Sequence, residues 1–215
     1  LVATELGLPG SPNAAEELIV ARDIALAELT GARLHIAHLS TKVGLELVAA
    51  AKRRGVRVSC EVTPHHLTLT DEAVRGYRRN AKMRPPLRSE GDRKALLSGI
   101  KEGTVDIIAT DHAPHASFEK EVEFVNAANG IIGLETALPV SLEAVREAVG
   151  RTMAVHRTIQ LLSWAPARVL GLKNKGSIRI GMDADLTLFD PDCENKIDVS
   201  RSYSKARNSP FDGWK

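Results

Sequence analysis

The chain has 215 residues, 43% hydrophobic and 26% charged, with 29 Lys and Arg against 27 Asp and Glu. That balance is ordinary for a globular protein, and a net charge of +2 from interspersed acids and bases makes no case for nucleic acid or an anionic membrane. No apolar run approaches the ~18 residues of a membrane span, and two cysteines, Cys60 and Cys193, make no disulfide framework, which points to a reducing, cytoplasmic setting.

In chain order, the opening L-V-A-T-E-L-G lacks an initiator Met and a basic n-region, so it is not read as a signal peptide but as the interior of something longer. Pro9-Gly10 punctuates a loop, Ser11 is placed to cap a helix, and Pro12 stands at its first position. That helix runs to about Leu29, with Leu18, Ala21, Ala25, Leu26 and Leu29 as its buried stripe, interrupted by Arg22. Gly31 stops it, and Arg33 to His38 alternates as a strand. Ser40 or Thr41 caps a helix of about Lys42 to Arg54, and Gly55 ends it. Val56 to Val62 is a second strand, with Glu61 near its end and Thr63-Pro64-His65-His66 following. Asp71 to Gly76 suggests a short helix, Asn80 to Arg88 a Pro-interrupted basic loop, and Ser89 caps a helix of about Asp92 to Glu102.

The β-branched run Val105 to Ala109 reads as a third, buried strand, with Asp111, His112 and His115 just past its end. Ala116 to Asn129 is a long polar loop of the kind that forms a mobile lid at a barrel mouth. Gly130 and Gly133 close it, and a helix follows over Leu134 to Val149. His156 to Leu170 reads as two short helices broken at Pro166, then Gly176 to Ile180 and Asp185 to Phe189 as short strands, and the end as irregular.

Strands alternating with helices indicate a parallel sheet. A full (β/α)8 barrel needs ~250 residues, so the expectation is an α/β fold holding the C-terminal half of such a barrel over residues 1–172, with part of a small β-sandwich over 173–215. A doubly wound sheet is the alternative, disfavoured because no glycine-rich phosphate loop follows a strand. In a barrel the strand C-termini face the active site. His38, Glu61 with His65, and Asp111 with His115 stand at three such ends and could converge on one point. Imidazole and carboxylate are zinc ligands, and a metal with a nearby proton-carrying carboxylate suits hydrolysis of an amide-like bond, or its reverse. A catalytic zinc needs at least three protein ligands, more than these spacings establish. His35 reads as a packed or surface histidine, Ser40 has no nucleophile elbow, and Cys60 reads as a small apolar residue inside a strand.

H-I-A-H-L-S-T, C-E-V-T-P-H-H-L, N-A-K-M-R-P-P-L-R, A-T-D-H-A-P-H, G-I-I-G-L-E-T-A-L-P, S-W-A-P-A-R-V-L-G-L and G-M-D-A-D-L-T-L-F-D occur in that order. Together they resemble the bacterial dihydroorotases of the long, aspartate-transcarbamoylase-associated type, within the amidohydrolase superfamily. The resemblance implies a metal-dependent barrel that reversibly cyclises N-carbamoyl-L-aspartate to L-dihydroorotate in pyrimidine synthesis. It implies Zn2+, one or two ions, held in part by His38 and Asp111, with Asp111 also moving the proton. It implies substrate contacts from His115 and from the backbone at Asn129 and Gly130, and leaves Glu61, His65 and His66 as supporting residues behind the ligands. Arg84 stands where that family usually has Asn, and its fork could hold a substrate carboxylate. The H-x-H-x-R motif, the bridging ligand and a further histidine would lie upstream of residue 1, so this piece alone is expected to bind zinc poorly and to turn over nothing. A homodimer or an aspartate transcarbamoylase partner is implied, and no nucleic acid or membrane. A hydantoinase or allantoinase, or a non-catalytic dihydroorotase-like subunit, are the alternatives.

Overall fold

The computed structural model describes residues 2–215. Helix α1 (Val2–Glu5) precedes the long α2 (Asn13–Thr30), which begins one residue after Pro12 and ends at Gly31 in the left-handed region (φ 69°), where only glycine sits without strain. Strand β1 is Leu34–Ile36 and α3 is Lys42–Arg53, capped by Thr41, whose hydroxyl accepts from the Gly44 N–H at 3.1 Å. Strand β2 is Val58–Val62 and α4 is Pro64–Thr68. Helix α5 (Glu90–Glu102) is capped by Ser89, as expected, and is followed by β3 (Ile107–Ile108). Then come α6 (Ser117–Lys120), α7 (Ala137–Val149) and α8 (Arg151–Ile159), which continues through a π-helical stretch, Gln160–Trp164, into α9 (Ala165–Val169).

The three strands form one parallel sheet in the order β1-β2-β3, with His35 opposite Ser59 and Glu61 opposite Ile107. Ladder hydrogen bonds run past the strand limits: Leu39 N–H donates to Glu61 O, Asp106 N–H to Cys60 O and Ala109 N–H to Val62 O, at 2.9, 3.2 and 3.0 Å. A parallel bridge between His112 and Ile131 adds the start of a fourth position to the curve. Successive side chains of β2 alternate faces. Val58, Cys60 and Val62 are buried against the helices, and Ser59 and Glu61 point with His35 to the other, inner face. Outside, α2 packs on α3, α3 on α5, α5 on α7 and α7 on α8, a curved wall of helices backing a curved sheet. This is the partial barrel the βα pattern predicts.

Four readings are corrected. The buried face of α2 is Val20, Ile24 and Ala27, whereas Leu18, Leu26 and Leu29 are exposed. The helix is apolar on nearly every side, so periodicity alone does not choose its inner face. The helix expected from His156 starts at Arg151, and its irregularity falls before Pro166, in the π-helical stretch Gln160–Trp164 that precedes the proline. Asp71 to Gly76 holds only a 3-10 turn, Asp71–Val74. Residues 176–180 and 185–189 form no strands: Ile178, Ile180, Leu186 and Leu188 are largely exposed and find no edge to pair with among the described residues. A strand exists only through a partner's ladder.

Candidate metal and substrate site

His38 follows β1 and Asp111 follows β3. The two side chains meet on the inner side of the sheet, His38 Nε2 lying 3.4 Å from Asp111 Oδ1, with 34% and 27% of each side chain exposed. Both residues have positive φ, 49° and 48°. That region is costly for most side chains and least so for His, Asn and Asp. Two such positions facing each other mark strain concentrated at a site. The imidazole holds the Asp111 carboxyl below its usual range, and Asp111, with a smaller contribution from Glu61, raises His38. An ionised carboxylate and an imidazole nitrogen at this separation are a donor pair suited to a divalent metal such as zinc. Among the described residues no group of three or more His, Cys, Asp or Glu is placed to hold a metal ion, so the chain's own contribution is this pair.

The loop after His38 is fixed from outside the sheet. Glu16 on α2 accepts the N–H groups of Ser40 and Thr41 at 2.8 and 3.1 Å and the Ser40 hydroxyl, and Arg88 closes the cluster with bonds to Ser40 Oγ and Ser11 O. Asp92, also buried, accepts from Asn13, Lys42 N–H and Ser89, tying together the starts of α2, α3 and α5. Neither carboxylate is evident as a site-builder in the sequence, because each acts on a loop distant along the chain.

Glu61 and His35 form an inner-face ladder below the pair: His35 bonds Ser59 Oγ at 2.8 Å and Glu61 Oε2 at 3.0 Å. His35 is therefore a packed polar residue, as expected. Cys60 is fully buried on the opposite face, and burial pushes its thiol up to about 12, which makes it inert. His65 and His66 make no hydrogen bond or ion pair with Asp111 among the described residues. Both are buried, with ring centroids 4.6 Å apart. His66 Nε2 donates to Pro85 O at 3.0 Å and Nδ1 takes the Thr63 hydroxyl at 2.7 Å, which fixes a neutral tautomer and fastens the loop that carries Arg84. His65 Nε2 has no partner.

This pair has a pH consequence. Burial holds His66 at about 4 and His65 well below its usual value. An unfolded histidine takes its proton near ~6.5. Between that value and about 4 the unfolded chain binds more protons than the folded one, so stability falls as pH drops through this window. His66 alone accounts for about 3 kcal/mol of that loss, and His65 adds to it in the same direction. Urea unfolding followed across the window should show this slope, flattened in His66→Asn. Ring chemical shifts of His66 that titrate near pH 6.5 in the folded chain would refute it.

Arg84 is exposed, makes no hydrogen bond or ion pair among the described residues, and lines a cavity of about 610 Å³ together with Asn129. His115 Nε2 donates to Asn129 O at 2.8 Å, and its backbone N–H to Asn208 Oδ1 at 3.3 Å. Gly130 (φ 111°) lies so close to Ala113 that an added Cβ would come within 2.5 Å of the alanine methyl. Its N–H donates to Lys82 O, and its carbonyl accepts from Lys120 Nζ and Asn208 Nδ2. The loop expected to be a lid is tied down here. Lys120 bonds Ala128 O and Gly130 O, and Lys82 bonds Val125 O and Ala127 O. Lys120 is buried, which lowers it to about 8. Asn208 bonds Ala113 O and Gly130 O and receives His115 N–H, and so joins the two site loops. It lies in the tail whose sequence reads as irregular, and nothing local marks it as a site residue.

Residues 9–215 match the Amidohydrolase family. The chain is 53% identical over 214 residues to a dihydroorotase of Geobacter sp. (strain M21), covering 100% of this chain and 49% of that protein. It is 50% identical over 215 residues to a dihydroorotase of Desulfotalea psychrophila, covering 100% and 50%. The chain thus spans about half the length of the curated relatives it matches. Among solved structures it resembles an L-hydantoinase (dihydropyrimidinase) from Arthrobacter aurescens, with TM-score 0.88, 31% identity and coverage of 95% of this chain and 46% of that one. A D-hydantoinase (dihydropyrimidinase) from Thermus sp. gives TM-score 0.85 at 30% identity, covering 94% and 45%. No helix among the described residues is long and apolar enough to cross a membrane.

Proposed function

The chain belongs to the amidohydrolase family, and from that premise we propose that it supplies half of a dihydroorotase active site, for the reversible cyclisation of N-carbamoyl-L-aspartate to L-dihydroorotate. The observation that carries the reading is the facing pair His38 and Asp111, both at strand ends and both at positive φ. They would hold a zinc ion together with ligands from outside this chain. When bound, the ion supplies Lewis acidity to the amide carbonyl. Asp111, kept ionised by His38, accepts a proton from the attacking water and returns it to the ring nitrogen as the C–N bond breaks; in the cyclising direction the same carboxylate takes the proton from the carbamoyl nitrogen. Glu61 and His35 stiffen the sheet beneath His38, and the buried His66, with His65 packed beside it, supports the Arg84 loop. Arg84 and His115 bind the substrate carboxylate. The ring contact falls to the Asn129 N–H and side chain, because the Asn129 carbonyl is engaged by His115 and the backbone groups of Gly130 by Lys82, Lys120 and Asn208.

The test is a chimera in which this chain replaces the matching half of the Geobacter relative. It should cyclise N-carbamoyl-L-aspartate, while the isolated chain turns over nothing and binds zinc weakly. In the chimera Arg84→Ala should raise KM by about 10- to 100-fold with kcat less affected, the cost of losing a charge-assisted carboxylate bond. A chimera that opens 5-substituted hydantoins and ignores N-carbamoyl-L-aspartate would replace this reading with a hydantoinase. Two free cysteines fit a cytoplasmic protein. The exposed Leu18, Leu26 and Leu29 on α2 support association, as a homodimer or with an aspartate transcarbamoylase, and size-exclusion chromatography with and without that partner checks it.

A further inference from the structure

We infer that the chain carries a second ligand site, for a polyphosphate group, in the cavity between the Gly76–Asn80 turn, the start of α6 and the segment 205–212. The cavity encloses about 1040 Å³, at the upper end of small-molecule sites. Its lining includes Arg78, Arg79, Lys120, Lys205 and Arg207. None of these five has a carboxylate within 4.0 Å among the described residues. Other cations of the chain form ion pairs, such as Arg54 with Glu28, Arg75 with Glu5 and Glu72, Arg93 with Glu90 and Glu147, and Arg151 with Asp192, whereas the five here share one concavity without a carboxylate partner among the described residues. Unpaired like charges around one concavity repel each other and focus a positive potential that an anion relieves.

Part of the wall is already fixed. Arg79 donates to Val122 O at 3.2 Å, Arg207 to Ala206 O at 2.9 Å, and buried Lys120 to two carbonyls, so these cations are oriented by neutral partners and keep their charge uncompensated. Arg78 and Lys205 are exposed, with no side-chain hydrogen bond or ion pair among the described residues. The acids of the lining are Glu121 and Asp212, the latter engaged with the Val199 N–H, and Glu119 lies 3.7 Å from His115. Five cations against two acids suit a ligand of several negative charges better than a dicarboxylate, and guanidinium forks match phosphate oxygens.

Isothermal titration of the full chain with inorganic tripolyphosphate, at low ionic strength, should give saturable binding with a sub-millimolar Kd that weakens as salt is added. Arg78→Ala with Lys205→Ala, two exposed side chains with no structural bond to lose, should weaken it at least ~10-fold. Arg53→Ala, on the far end of α3, should leave it unchanged. N-carbamoyl-L-aspartate in excess should not displace the tripolyphosphate. Binding that fails to saturate, that survives the double variant, or that yields to the dicarboxylate would overturn the assignment, the last by making the cavity an approach to His115. The cavity shares His115 with the proposed substrate site, and a chimera without cyclase activity still leaves this titration readable.

Discussion

In the chimera, Asp111→Asn should cut turnover by about 10³-fold or more while leaving the protein folded. The substitution separates charge from shape. Asparagine fills the same volume and tolerates the left-handed backbone that Asp111 adopts, φ 48°, so the strand end need not rearrange. What it loses is the negative charge that His38 stabilises at 3.4 Å and the capacity to hold a proton between water and ring nitrogen. Metal content should fall with turnover, because the described residues offer this pair and no group of three, and an amide oxygen is a poor replacement for a carboxylate. Asp111→Ala should be worse in stability as well, since alanine at positive φ adds strain that asparagine avoids. Turnover and bound zinc, read by assay and elemental analysis alongside thermal unfolding, decide the matter. An Asn variant retaining a tenth of wild-type turnover at full zinc content would remove Asp111 from the proton path and leave it a backbone marker.

The parts of this site that stand at strand ends were legible. His38 and Asp111 each follow a β-branched or alternating run, and a parallel sheet carries the ends of adjacent strands to one edge, so two short motifs 73 positions apart could be placed together from pattern alone. His115 and Asn129 were named separately, and the structure joins them by a hydrogen bond. Features decided by tertiary partners were not legible. The inner face of α2 depends on which side the sheet takes, and a helix with Leu18, Val20, Ile24 and Leu26 around its circumference offers more than one answer. The apolar alternation of 176–189 suggests strands, but a strand requires an edge to pair with, and none is present among the described residues, so that expectation fails. Glu16, Lys120 and Asn208 carry no local signature, because each works on backbone groups of a loop that the sequence places elsewhere.

Arg88→Met should destabilise the chain by about 3–5 kcal/mol, the scale of breaking a buried ion pair by removing one partner. The Arg88 and Glu16 side chains are 7% and 14% exposed, so both charges are largely removed from water and compensate each other at 3.5 Å. Methionine fills most of the space but leaves the Glu16 carboxylate facing only neutral donors, and it removes the bonds that Arg88 donates to Ser40 Oγ and Ser11 O at 3.0 and 2.7 Å. Removing both charges together is a different experiment. Glu16→Gln with Arg88→Met eliminates the buried charge and should recover a substantial part of the loss, since neutral replacement of a buried pair is far less costly than halving it. Arg88→Lys keeps the charge but not the fork, and should fall between the two. The same cluster holds the N–H groups of Ser40 and Thr41, immediately after His38, so metal affinity in the chimera should drop along with stability in Arg88→Met and return with it in the double variant. Urea unfolding and zinc titration of the three variants measure both. A loss below ~1 kcal/mol in Arg88→Met, the scale of an exposed pair, would mean that Glu16 is held by the Ser40 and Thr41 backbone alone and that Arg88 has no part in positioning the metal ligand.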